Sequence, residues 1–107
     1  MQDLISHLSP EEQKTVSECL NAAADGPFFP DWEFETLFGV SRAVVKDTGL
    51  HWRNMAVPDE DAAAAIIGAM NNLLGYPHQQ EDRWHEFITV TPEAVKETLD
   101  KLLSLGL

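Results

Sequence analysis

Basic residues are scarce in this chain. Seven lysines and arginines stand against 18 aspartates and glutamates in 107 residues, a formal net charge of −11. So negative a surface repels phosphate backbones and anionic headgroups, which argues against a nucleic-acid binder or a membrane-surface protein. It favours solubility or a basic partner. Cysteine is nearly absent: Cys19 alone makes no internal disulfide, which suits a reducing cytoplasm. Long apolar runs are missing as well. The longest, Ala62–Met70, falls well short of the roughly 20 residues that span a bilayer. The start, MQDLISHLS, has neither a basic n-region nor an apolar h-region, so no signal peptide is expected. The six glycines stand singly, at helix ends or, for Gly68, inside a helix, so there is no phosphate-cradling loop. No G-x-S-x-G nucleophile elbow occurs, and strand-like alternation is nearly absent.

What is present is helical. A hydrophobic fraction of 44 % at this length supports one globular domain, residues 1–107. The stretch Asp59–Gly75, DEDAAAAIIGAMNNLLG, opens with three acids and then carries no charge. A helix apolar on nearly every side has to be wrapped by others. Its broadest face reads as Ala63, Ile66, Ile67, Met70, Leu73 and Leu74, and Gly68 within it suggests close approach by another helix. Leu4, Ile5 and Leu8 suggest a short leading helix. Ser9-Pro10-Glu11-Glu12 starts a helix that Gly26-Pro27 stops, with Val16, Cys19, Leu20 and Ala23 inward. Asp31 caps a short aromatic helix, Trp32–Phe38, closed by Gly39. Ser41 caps another, ending at Gly49, and Leu50–Pro58 reads as a loop. A short helix over Glu81–Phe87 follows. A last one opens at Thr91-Pro92-Glu93, with Val95, Leu99, Leu102 and Leu103 on one face and a Glu97–Lys101 pair. The expected fold is all-α: a single-domain bundle of five or six short-to-medium helices around a buried central helix at about 59–74.

Chemistry is thinly represented. Residues 34–48 are similar to the centre of a DNA-binding helix-turn-helix, with an apolar helix, a Gly39-Val40-Ser41 turn and inward Val44 and Val45. The second helix brings only Arg42 and Lys46 to a duplex, and nucleic acid is not the expected partner. His85-Glu86 begins a zinc motif whose second histidine position is Thr89, and His78, Asp82, His85 and Glu86 form only a loose alternative, a small metal-binding protein or enzyme using the 78–86 cluster. Asp59, Glu60 and Asp61 lack the glycine and later glutamate of a calcium loop, so helix capping accounts for them. Cys19 lies on an inward stripe and reads as a buried thiol. No catalytic, cofactor or metal residue is assigned.

A binding surface remains. Tryptophan and tyrosine are favoured at interface hot spots, although core anchoring is the commoner use of tryptophan. The candidate partner-binding residues are Trp32, Glu33, Asp59, Glu60, Asp61, Tyr76, His78 and Trp84. In size, charge and helix content, though in no motif, the chain resembles the small acidic immunity or inhibitor proteins that bacteria set against basic toxins. That resemblance implies binding to another protein, without cofactor or catalysis. Covering Phe28, Phe29, Trp32, Phe34 and Phe38 together suggests a homodimer face over residues 28–38.

Overall fold

The computed structural model describes residues 3–107, and among these the chain forms seven α-helices, two single 3₁₀ turns and no strand. Helix α1 (Leu4–His7) is one turn long and leads into α2 (Pro10–Asp25). Ser9 begins α2 with a capping box: its hydroxyl accepts from the Glu12 N–H, and its own N–H donates to the Glu12 carboxylate at 2.8 Å. Helix α3 (Asp31–Phe38) starts at Pro30 without a side-chain cap. Asp31 is therefore not the cap its position suggests; it is the first helical residue, and its carboxylate meets Arg42 at 2.8 Å. Gly39, at φ 73°, closes α3 in the left-handed conformation that costs glycine least.

Helix α4 (Arg42–His51) runs straight through Gly49, where the sequence places its end, and passes into a 3₁₀ turn at Trp52–Asn54. Gly49 faces α2 there: a Cβ would make ordinary contact with Leu20 Cβ at 3.4 Å and would press only on the tip of Asn21, whose Oδ1 would be 2.9 Å away. Helix α5 (Glu60–Gly75) is capped by Asp59, which accepts from the Ala62 N–H at 2.8 Å. A 3₁₀ turn (Glu81–Arg83) and the single-turn α6 (Trp84–Phe87) connect to α7 (Pro92–Ser104), which Thr91 caps.

As expected, α5 sits inside the bundle, in contact with α2, α3, α4 and α7. No residue from Ala62 to Met70 is exposed. Its most buried face is rotated slightly from the expected one, to Ala62, Ala65, Ile66, Ala69, Met70 and Leu73, with Ala63, Ile67 and Leu74 half-buried. The centre is shared, however. Helix α2 packs on α4, α5, α6 and α7 and buries Thr15, Val16, Cys19, Leu20, Ala22, Ala23 and Ala24. Small side chains there let neighbours approach without the bulky stripe that makes α5 conspicuous. Gly68 does what its position suggests: a Cβ there would stand 2.9 Å from the Phe38 ring. On α7, Thr98 is buried and Leu103 is exposed, and the Glu97–Lys101 pair is replaced. Lys101 reaches across to Glu12 at 2.8 Å, and Lys96–Asp100 at 3.0 Å is the i,i+4 pair. No helix among the described residues is long and apolar enough to cross a membrane.

Candidate functional site

Helix α3 lies antiparallel along the second half of α5. Phe38 covers Gly68, the Leu37 carbonyl accepts from the Asn72 amide at 3.1 Å, and Glu33 accepts from the Tyr76 hydroxyl at 2.6 Å. The start of α3 therefore meets the end of α5, bringing three of the candidate residues into one neighbourhood. Phe29 ties Tyr76 to His78, with ring centroids 5.5 and 6.5 Å away. His78 is half-buried against Phe28 at 4.9 Å. Its Nδ1 accepts from the Gln80 N–H, so Nε2 carries the hydrogen and donates to the Leu73 carbonyl.

The three tryptophans part company. Trp52 is 1 % exposed and donates to Ser17 at 2.9 Å; Trp84 is 5 % exposed and donates to the Val90 carbonyl at 2.7 Å. Trp84 is thus chiefly a core anchor, and only an edge of it lines a small cleft with Glu81, His85 and Pro92. Trp32, at 81 %, stands in water. The other aromatics of the 28–38 segment do not need a second copy to cover them. Phe28, Phe29, Phe34 and Phe38 are buried within one chain, with Phe34 stacked on Phe38 at 4.1 Å.

Asp59, Glu60 and Asp61 lie at the opposite end of α5, about 24 Å away for a helix of 16 residues. Asp59 and Asp61 line a cleft of about 330 Å³ with Ala43, Val44, Asp47, Thr48, Met55 and Ala62. Leu50, 68 % exposed, stands one turn beyond Asp47 on α4, and Val57 is exposed in the loop before α5. Asp47, Leu50 and Val57 escape a reading of the sequence, because the helical spacing of Leu50 holds only once α4 is known to continue past Gly49.

The charges divide sharply. Six of the seven lysines and arginines pair with a carboxylate of the chain itself: Lys14, Arg42, Lys46, Arg83, Lys96 and Lys101. The seventh, Arg53, sits over the Trp52 ring. Arg42 donates to the carbonyls of Ala23, Ala24 and Phe29, and Lys46 is held by Asp25 at 2.8 Å. The helix-turn-helix reading thus has both its cations engaged within the fold.

The cluster of the metal alternative is largely committed elsewhere. His78 has both ring nitrogens engaged and Glu86 is held by Arg83 at 3.0 and 3.1 Å, while His85 donates its Nδ1–H to the Ile88 carbonyl and keeps only Nε2 open. Among the described residues, no group of three or more His, Cys, Asp or Glu side chains is placed to hold a metal ion. Burial pushes the Cys19 thiol up to about 12, far from the thiolate that nucleophilic chemistry needs. No protein-family model, curated protein or solved structure matches the chain at a significant level.

Proposed function

We propose that the protein acts by binding another protein that has a basic surface, as an immunity- or inhibitor-like protein or an accessory subunit, and performs no catalysis of its own. The observation that carries this reading is the one-sided use of charge. Nearly every cation is neutralised by a carboxylate of the same chain, while Glu35, Asp61, Glu93 and Glu97, among others, are exposed without a cationic partner among the described residues. A surface arranged so attracts basic partners over distance and rejects acidic ones. Exposed Trp32 and Leu50 supply apolar contact that charge alone does not. A cytoplasmic setting belongs to the same reading, supported by a lone cysteine kept as a buried thiol.

Affinity capture from native cells tests this, run at roughly 0.1 M and 1 M salt, between which the Debye length falls from about 10 to about 3 Å. The expected result is a basic protein retained at low salt and released at high salt. Retention should weaken when Asp47 and Asp61 are changed to asparagine. Failure to retain any basic protein at low salt would end the reading.

A further inference from the structure

Trp32 is the second residue of an eight-residue helix whose other aromatics, Phe34 and Phe38, are buried. Its indole contributes almost nothing to the core. Glu35 and Thr36 follow at i+3 and i+4, on the same helical face, and both are exposed. Asp31 and Glu33, its neighbours in sequence, are turned to Arg42 and Tyr76, so Glu35 is the carboxylate that shares its face. The chain places a guanidinium over an aromatic ring three times: Arg42 over Phe34, Arg53 over Trp52 and Arg83 over Phe87. Among the described residues none lies over Trp32, the best cation acceptor by ring type and the most exposed. Arg42, the cation paired with neighbouring Asp31, cannot turn to it, because three backbone carbonyls hold its guanidinium.

We propose that Trp32 and Glu35 form a docking site for an arginine side chain of a basic protein partner, with the guanidinium over the indole and hydrogen-bonded to the Glu35 carboxylate. The inference rests on the basic-partner reading and locates its anchor. Arginine suits the site better than lysine, because its planar, weakly hydrated head stacks on an aromatic face and still bonds a carboxylate in its plane. A second copy of the chain suits it poorly. It would set Asp31, Glu33 and Glu35 against acids of its own, and its one arginine without a carboxylate lies over Trp52.

With Trp52 and Trp84 buried, acrylamide quenching of the intact protein reports mainly on Trp32. The test titrates a dye-labelled oligoarginine peptide, whose anisotropy reads binding, at low salt against the wild type, Trp32→Ala, Trp32→Phe, Glu35→Gln and, as a charge control on α7, Glu97→Gln. The peptide should shield Trp32 from acrylamide. Trp32→Ala should bind it roughly two- to five-fold more weakly, with Trp32→Phe between the two. Glu35→Gln should weaken binding more than Glu97→Gln does. Equal binding by the wild type and Trp32→Ala, with Trp32 still quenchable, overturns the site and leaves the basic-partner reading standing. No binding at low salt overturns both. Self-association that Trp32→Ala abolishes would overturn the partner chemistry in favour of a second copy.

Discussion

The Arg42 guanidinium lies over the ring of Phe34, 4.3 Å from its centroid, while its nitrogens bond the carbonyls of Ala23 and Ala24 at 3.1 and 3.0 Å and of Phe29 at 2.9 Å. Two of these carbonyls close the end of α2, where no further turn supplies a donor. One side chain thereby joins α2, the aromatic connector and α3 to the start of α4. Arg42→Ala leaves partly buried carbonyls without a donor and should cost about 2–4 kcal/mol in denaturant unfolding. Arg42→Lys keeps the charge but not the fork, and should recover less than half of the loss. An alanine variant as stable as the wild type would show the clamp to be incidental.

That clamp marks the boundary of what the sequence shows. Four of the five expected caps hold, Ser9, Ser41, Asp59 and Thr91 but not Asp31, because a cap needs only neighbours within three residues. Arg42 finds its carbonyls 13 to 19 residues away and leaves no periodic trace. The central place of α5 shows in its missing charges. The equal role of α2 is hidden behind the small residues Ala22, Ala23 and Ala24. For the candidate site, sequence singles out three tryptophans but not which one is free. Trp52 donates its N–H to a hydroxyl 35 residues distant and Trp84 to a carbonyl beyond its own helix, whereas Trp32 has no such acceptor among the described residues.

Two mid-helix glycines should respond oppositely to alanine. Either replacement gains up to about 1 kcal/mol of helix propensity. At Gly49 the closest obstacle is the tip of exposed Asn21, which can swing aside, so Gly49→Ala should be neutral or stabilising. At Gly68 the obstacle is the buried Phe38 ring, stacked on Phe34, with the Phe38 Cα behind it at 3.4 Å. Overpacking of about 1–3 kcal/mol should outweigh the propensity gain there. Thermal unfolding of the two variants checks the pair, and a stabilised Gly68→Ala would contradict the close α3–α5 approach.

Glu12 links stability to acid. Lys101 at 2.8 Å and the Ser9 N–H hold its carboxyl below the ordinary 4.5. A depressed carboxyl stabilises the fold above its unfolded value and loses that contribution as pH falls through the folded one. Stability followed from pH 6 downward should therefore drop through the acid range in the wild type. Glu12→Gln should start lower and drop less steeply. Parallel curves for the two proteins would remove Glu12 from the acid transition.

Tyr76 offers the opposite limb. Its hydroxyl donates to Glu33 at 2.6 Å, and that bond to a carboxylate raises its ionisation above the ordinary 10.0. The neutral phenol is the donor, so the bond stabilises the fold below the ordinary value and is lost as pH rises through the folded one. Tyr76 is the single tyrosine of the chain, which lets phenolate absorbance follow it without assignment. The wild type should ionise above the free amino acid's range, and Glu33→Gln, an acceptor without charge, should bring the midpoint down towards 10. Since Glu33 joins the start of α3 to the end of α5, the same variant should also loosen the base on which Trp32 stands. Trp32 mobility, read by fluorescence anisotropy, should rise with it. An unchanged midpoint in Glu33→Gln would mean that the two side chains do not meet in solution.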